Sequence, residues 1–301
     1  MANIKYKDLY NEIVDRLRNA SITEAESDTR LLFEYIIGID RAKLFMMAGD
    51  EVDDASLNKL IEAVKIREKR VPLQHITGVQ EFMGLEFDVS EDVLIPRFDT
   101  ECLVEEAMLV CNDGDKVLDV CTGSGCILIS LMRYKNDIKG YGCDISPNAL
   151  KIARENADKL CKPSGEFGDM FTYELSAECD DKQNPCFIES DLFANINTKD
   201  FDVIVSNPPY IRSDVINSLE PEVKEHDPML ALDGGEDGLV FYRRLTEESK
   251  SFLRKGGSLL VEIGYDQGED VLALFCKNGF SDVKIVKDLA GNDRVVRGVL
   301  R

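Results

Sequence analysis

The run Asn207-Pro208-Pro209-Tyr210 follows an apolar segment, Phe201 to Ser206, whose pattern predicts a strand. Its two prolines supply no backbone donor and stiffen the exit from that strand. In such a turn the Asn207 side-chain oxygen and the Pro208 carbonyl can each accept one hydrogen of a planar NH2 group. Tyr210 can stack on the plane and keep water from it. The chemistry this suits is group transfer to an exocyclic amino or an amide nitrogen. The plain alternative, an ordinary strand-ending turn, is disfavoured by what stands upstream.

Upstream, the apolar run Lys116 to Cys121 gives way to Thr122, Gly123, Ser124 and Gly125, and then to the apolar helix-like stretch Ile127 to Met132. Glycines between a strand and a helix let backbone approach a nucleotide closely. A dinucleotide loop would place glycines similarly. Here the six-residue G-x-G-x-x-G is incomplete and an acid, Asp119, already stands on the strand, which favours S-adenosylmethionine over NAD. Asp144 ends the next strand, where a carboxylate can accept from both ribose hydroxyls. Its rival role is to cap the following helix, but Ser146 before Pro147 already suits that task. At the third strand's end, Asp191 can accept from the adenine amino group while Leu192 packs on the ring.

The methyl donor of such a reaction is cationic and its leaving sulfide neutral. Positioning and partial negative charge at the nitrogen should therefore carry most of the acceleration, without a strong general base.

The elements that must hold these residues are those of an α/β protein. From Lys116 strands and helices alternate, with strands expected at Lys116–Cys121, Tyr141–Asp144, Phe187–Ser190, Phe201–Ser206, Gly257–Ile263, Val283–Val286 and Arg294–Val299. A doubly wound parallel sheet follows. Residues 1–72 read as short amphipathic helices, with a capping box at Ser21 and Glu24, a stop near Gly38 and a cap at Asp53 or Asp54. That bundle is open to two readings, a packing appendage or a partner-recognition module. Residues 73–92 read as a hairpin linker around Gly84, and 93–301 as the catalytic domain. Asp99 or Thr100 is expected to cap the helix that opens it. The polar stretch 161–185 reads as a surface insertion.

Nine cysteines without a C-x-x-C pair, odd in number, argue against a disulfide framework and fit a reducing cytoplasm. Cys179 and Cys186 lack the paired spacing and the nearby histidine of a metal site, so no metal is expected. His75 and His226 lie in unrelated segments and read as hydrogen-bonding surface residues. No apolar run predicts a membrane span. A net charge of −21 repels phosphate backbones, which disfavours nucleic acid as substrate and favours a basic protein partner. Acidity that merely maintains solubility remains the plain alternative.

Taken together, these residues resemble the bacterial release-factor glutamine N5-methyltransferases, the PrmC/HemK family. The resemblance rests on Pro72-Leu73-Gln74-His75-Ile76-Thr77-Gly78, on Leu94 to Glu101, on the Asp119 to Gly125 loop and on Asn207 to Tyr210. Glu220-Pro221, Asp233-Gly234-Gly235, Asp237-Gly238-Leu239 and Asn292-Asp293-Arg294 extend it over nearly the whole chain. It implies a seven-stranded class I methyltransferase (Rossmann-like) domain, preceded by a small helical bundle that recognises release factors and by a β-hairpin linker. It also implies a substrate, the glutamine of the Gly-Gly-Gln motif in peptide chain release factors, methylated by a cytoplasmic monomer. By the resemblance, Cys121 to Gly125, Asp144, Leu192 and Asn207 contact the cofactor, Arg97 and Glu101 shape its pocket, and Asn207 to Tyr210 hold the glutamine.

Three positions depart from the family's pattern. Cys121 and Phe98 replace a usual glycine and proline, and Leu192 replaces a usual aromatic. Cys121 should be tolerated if its backbone angles are ordinary. The same tetrapeptide could instead grip a flipped base in DNA or rRNA, or survive in a regulatory module that has lost catalysis; charge opposes the first and the intact tetrapeptide the second.

Overall fold

The computed structural model describes residues 4–161 and 185–301. The insertion expected at 161–185 lies, but for its two end residues, outside the described residues, as does Cys179. The chain forms two compact units, Met1–Val79 with Leu219–His226, and Gln80–Ser218 with Asp227–Arg301.

The first unit is helical: α1 (Tyr6–Asn19), α2 (Ala25–Ile37), α3 (Arg41–Met46), α4 (Asp54–Arg67) and α5 (Leu73–Thr77). In α1 the spacing of Leu9, Ile13, Val14 and Leu17 puts all four in one buried stripe. Gly38, at φ 70°, ends α2 in the left-handed conformation, and the Asp53 side chain caps α4 by accepting from the Ser56 N–H. The Ser21–Glu24 capping box does not form. Ser21 lies in a left-handed turn at φ 61° and α2 begins after Glu24 with no side-chain cap.

One buried cation organises this unit. Arg67 donates through Nε to Asp28 (2.7 Å) and through a terminal nitrogen to Glu222 (2.9 Å), on the helical turn Pro221–Lys224. Burial pushes both carboxyls upward. At Glu222 the hydrogen bonds from Arg70 and Arg67 outweigh it and hold the group down at about 2, whereas at Asp28 burial prevails.

The second unit opens on a hairpin of β1 (Val79–Phe82) and β2 (Leu85–Asp88). Then come α6 (Phe98–Val110), β3 (Lys116–Val120), α7 (Cys126–Tyr134), β4 (Lys139–Asp144), α8 (Pro147–Leu160), β5 (Cys186–Glu189) and β6 (Phe201–Ser206). After α9 (Pro221–Lys224), which belongs to the first unit, follow α10 (Met229–Leu232), α11 (Val240–Glu248), β7 (Leu253–Glu262), α12 (Gly268–Lys277), β8 (Phe280–Lys287) and β9 (Asp293–Leu300).

The seven-stranded sheet has the order β5-β4-β3-β6-β7-β9-β8, parallel except for β9, which runs antiparallel to both neighbours. Alternate residues feed two cores. Val117, Val203, Val205 and Leu260 pack with α6 and α7, whereas Leu118, Ile204, Leu259 and Val261 pack with α11 and α12. The strand β7 starts earlier than its sequence suggests, because Gly256 at φ 79° keeps Lys255-Gly256 inside the strand, opposite a register shift at Phe201/Val203. Seven described cysteines are free and Cys186 is disulfide-bonded.

Replacing Arg67 by alanine leaves the buried Asp28 without its partner, while Glu222 keeps Arg70. The variant should lose about 3 kcal/mol in urea unfolding; a loss below about 1 kcal/mol would mean the cluster is solvated after all.

Candidate active site

Strands β3 and β6 pair in parallel with Val120 level with Ser206. The glycine loop and the Asn207 turn therefore leave the sheet side by side, at the point where strand order reverses and such sheets bind ligands. The Ser206 hydroxyl fastens the two by donating to the Val120 carbonyl (2.7 Å).

In the loop, the Thr122 hydroxyl donates to Asp119 Oδ2 (2.6 Å) and the Thr122 N–H to the Cys143 carbonyl (2.9 Å). Asp119 is fully buried, and burial pushes its carboxyl up to about 7 although the Thr122 bond opposes the rise. Its Oδ1 finds no hydrogen-bond partner among the described residues. The Asp144 carboxylate takes the Gly123 N–H on one oxygen and the Ser146 N–H on the other, each at 2.9 Å. Burial raises this carboxyl too, and a lone pair remains on each oxygen. Ser146 caps α8, accepting from the Ala149 N–H, so Asp144 is spared that role as its spacing predicted.

Cys121 has φ 62°, so its backbone angles are not the ordinary ones its tolerance was expected to need. The family's glycine fits this left-handed position without strain, and cysteine holds it at a cost of about 1–2 kcal/mol.

The Asn207 turn is held from three sides. Asn207 Nδ2 donates to Thr100 Oγ1 (3.1 Å), the Tyr210 hydroxyl to Glu262 Oε1 (3.3 Å), and Gln267 Nε2 to the Tyr210 carbonyl (3.0 Å). Behind the turn, a Cβ on Gly234 would come within 2.7 Å of the Tyr210 Cα, and one on Gly238 within 2.5 Å of the Tyr210 carbonyl oxygen. Only glycine admits the two chains this close. Burial raises Glu262 to about 7 against the pull of the Thr100 hydroxyl and Arg294, and burial beside Glu262 raises Tyr210 as well.

The start of α6 reaches four segments. Arg97 donates to the buried Asp227 (2.6 Å), Asp99 pairs with Arg294 (3.0 Å), Thr100 accepts from Asn207, and Glu101 accepts the Met83 N–H of the hairpin (2.6 Å). Neither Asp99 nor Thr100 caps the helix, which begins after Arg97 with no side-chain cap. Both side chains are committed to tertiary partners instead.

A cavity of about 360 Å³ opens over these segments, in the size range of small-molecule sites. Of the residues singled out in the sequence, Arg97, Cys121 to Ser124 and Asp144 line it, as do Asp191, Leu192, Asn207 and Pro209. Gly125, Asp119 and Pro208 do not line it. Glu101 turns to the hairpin and Tyr210 to Glu262. One oxygen of Asp191 pairs with Arg244 (2.7 Å). Thr100, Ile145, Leu230 and Arg244 line the cavity without having stood out in the sequence. Of these, only Thr100 carried a signal, the resemblance-bearing run from Leu94 to Glu101.

A seven-stranded sheet of this order, with a glycine loop and a donor-free asparagine turn at its switch point, defines a class I methyltransferase. Residues 8–78 match the PrmC N-terminal domain and residues 82–219 the methyltransferase small domain. The release factor glutamine methyltransferase of Clostridium acetobutylicum is 37% identical over 98% of this chain and 99% of its own. That of Caulobacter vibrioides is 38% identical over 95% and 93%. The crystal structure of a release factor-specific protein-(glutamine-N5) methyltransferase from Alicyclobacillus acidocaldarius aligns with 71% of this chain and 99% of its own, at 29% identity and a TM-score of 0.40. The chain belongs to the release factor glutamine methyltransferase family.

Two expected outcomes follow from the loop. Asp119 lies above its ordinary 3.8, so its ionisation opposes folding increasingly from about pH 4 to about pH 7 and by a constant amount beyond. The stability of Asp119→Asn relative to the parent should thus rise across that window in urea melts; a flat difference would show that Asp119 ionises freely. At Cys121, glycine should be tolerated without loss, whereas valine should lose about 2 kcal/mol, since β-branching worsens a left-handed backbone. Equal stability of the two variants would remove the strain.

Proposed function

We propose that this chain transfers a methyl group from S-adenosylmethionine to the side-chain amide nitrogen (N5) of the glutamine in the Gly-Gly-Gln motif of peptide chain release factors. The observation that carries the reading is the commitment of Asn207 Nδ2 to Thr100, which leaves the amide oxygen as the group Asn207 can offer beside the cavity. Family membership supports the choice of a protein amide over a nucleic-acid base, and the charge of −21 supports it independently.

The residues present fit the cofactor. The free lone pairs of Asp144, which lines the cavity, suit a ligand that carries hydroxyls. In this reading Cys121 to Gly125 let the backbone close on the ligand. Asp144 accepts from its ribose, Asp191 and Leu192 bound the adenine, and Arg97, fixed by Asp227, forms one wall. When bound, S-adenosylmethionine supplies a methyl group on a cationic sulfonium.

The chain's own task is the nitrogen. Asn207 Oδ1 and the Pro208 carbonyl each accept one amide hydrogen, which aligns the nitrogen and pushes electron density back onto it. Pro209 keeps the turn stiff, and Tyr210, tied to Glu262, anchors its end. The proton is lost after transfer, from a nitrogen made acidic by its new bond, so no strong base is required. Residues 1–72, with α5 in the same unit, serve as the release-factor recognition domain, and the hairpin of β1 and β2 serves as the linker. The enzyme works as a cytoplasmic monomer.

The test is transfer of label from radiolabelled cofactor to a purified release factor, to its Gln-to-Ala variant, to DNA and to rRNA. Label should appear only on the intact factor. Asn207→Ala should abolish it while leaving calorimetric cofactor binding within about tenfold. Label on nucleic acid, or full activity of the variant, would overturn the reading.

A further inference from the structure

One wall of the cavity comes from a helix rather than from the strand ends. On α11, Val240, Phe241 and Arg244 lie on one face and line it, and Asp191 lines it from the loop after β5. Arg244 is held at two points. Its Nε donates to Glu248, one turn further along the helix (2.9 Å), and a terminal nitrogen donates to Asp191 Oδ1 (2.7 Å). A planar guanidinium bound on two sides has little freedom to turn, and neither does the carboxylate it grips. The bond occupies Oδ1 and leaves Oδ2 to accept elsewhere.

The strand register says which part of a nucleoside meets this pair. β5 is the outermost strand of the sheet, and its Glu189 stands level with Asp144 of β4. Asp191 therefore lies about one strand spacing, ~4.8 Å, outward from Asp144 and two residues further along the chain. With a ribose at Asp144, it is the base that reaches Asp191.

We propose that Arg244 is a positioning residue for the cofactor's purine: by holding Asp191 Oδ1 it presents Oδ2 to a ring that carries an exocyclic amino group, and sets the site against a ring with a carbonyl in that place. The proposal rests on the reading of the cavity as the S-adenosylmethionine site. An amino group donates to the waiting oxygen. A carbonyl there brings two acceptors together and leaves both without a proton. Unheld, the Asp191 carboxylate turns to water and accommodates either ring. In the open cavity the pair is partly exposed, at 36% for Arg244 and 54% for Asp191, and contributes little to folding. Its effect belongs to binding, because a ring seated against it removes that water.

The experiment measures calorimetric affinity for S-adenosylhomocysteine and for S-inosylhomocysteine, its hypoxanthine counterpart, with the parent, Arg244→Ala, Asp191→Ala and the double variant. The parent should prefer the adenosyl ligand at least about tenfold. Arg244→Ala should bind the adenosyl ligand about 5- to 20-fold more weakly and keep a preference below about threefold, with a melting temperature within about 3 °C of the parent. The double variant should stay within about twofold of Asp191→Ala, since Arg244 acts through that carboxylate. A parental preference in Arg244→Ala, losses that multiply in the double variant, or a fall in affinity equal for the two ligands would overturn the proposal. A parent that binds the adenosyl ligand while Arg244→Ala keeps its preference leaves the cofactor reading standing; a parent that binds neither ligand removes both. Should alanine fail to fold, Arg244→Met, which keeps the apolar stem, takes its place under the same expectations.

Discussion

The parallel register of β3 and β6 is the constraint on which the site depends. Because Val120 stands level with Ser206, the glycine loop and the asparagine turn, some 85 residues apart in the chain, end at the same height on one sheet edge. A slip of one residue would turn every side chain of the strand to the other face and move the core with it. The two cores on either side of the sheet, drawn from alternate residues of the same strands, make such a slip prohibitive. Site geometry is thus fixed by hydrophobic packing, and the polar contacts adjust it.

Those polar contacts carry a cost. Asp119 on β3, Asp144 on β4 and Glu262 on β7 all lie at or near the carboxyl ends of their strands, and burial raises all three above the usual carboxylate range. Hydrogen bonds from Thr122, Gly123, Ser146 and Tyr210 offset part of the desolvation, yet one oxygen each of Asp119 and Glu262 keeps no partner among the described residues. A core built for stability alone would fill such places with apolar side chains. Retained here, near one cavity, they keep acidic groups with perturbed titration at that end of the sheet. The left-handed Cys121 at the head of the loop adds strain at the same place.

Much of this was legible in the residues. Strands buried on both faces read as short apolar runs, which is why the seven strands and the loop after Lys116 could be placed, and the proline pair declared its own stiffness. The place of Asp144 at the end of the strand after the loop followed from spacing, whereas its acceptance of the Gly123 N–H did not. The partners of α6 were not legible. Asp99 and Thr100 look like caps because a cap is a local interaction that sequence can express. Their ties to Arg294 and Asn207 span 195 and 107 positions and leave no periodic trace. For the same reason Glu262, one glutamate at the end of an apolar strand, carried no signal, and the angle that strains Cys121 is invisible in its identity.

The dispersed segments that resemble the family therefore have one physical basis. Arg97, Asp99, Thr100 and Glu101 are nearly consecutive on the first turn of α6, where side chains fan outward around the helix axis. Each takes a different segment: Asp227 before α10, Arg294 on β9, Asn207 after β6 and Met83 in the hairpin. The glycines of Asp233-Gly234-Gly235 and Gly238 close the back of the Asn207 turn, and Gln267 fastens its carbonyl. A turn whose two central residues, Pro208 and Pro209, carry no N–H can do little to stabilise itself through its own chain, so its conformation is imposed by neighbours. That requirement gives residues that do not line the cavity a part in the site: the geometry at Asn207 is a property of the whole clasp around it.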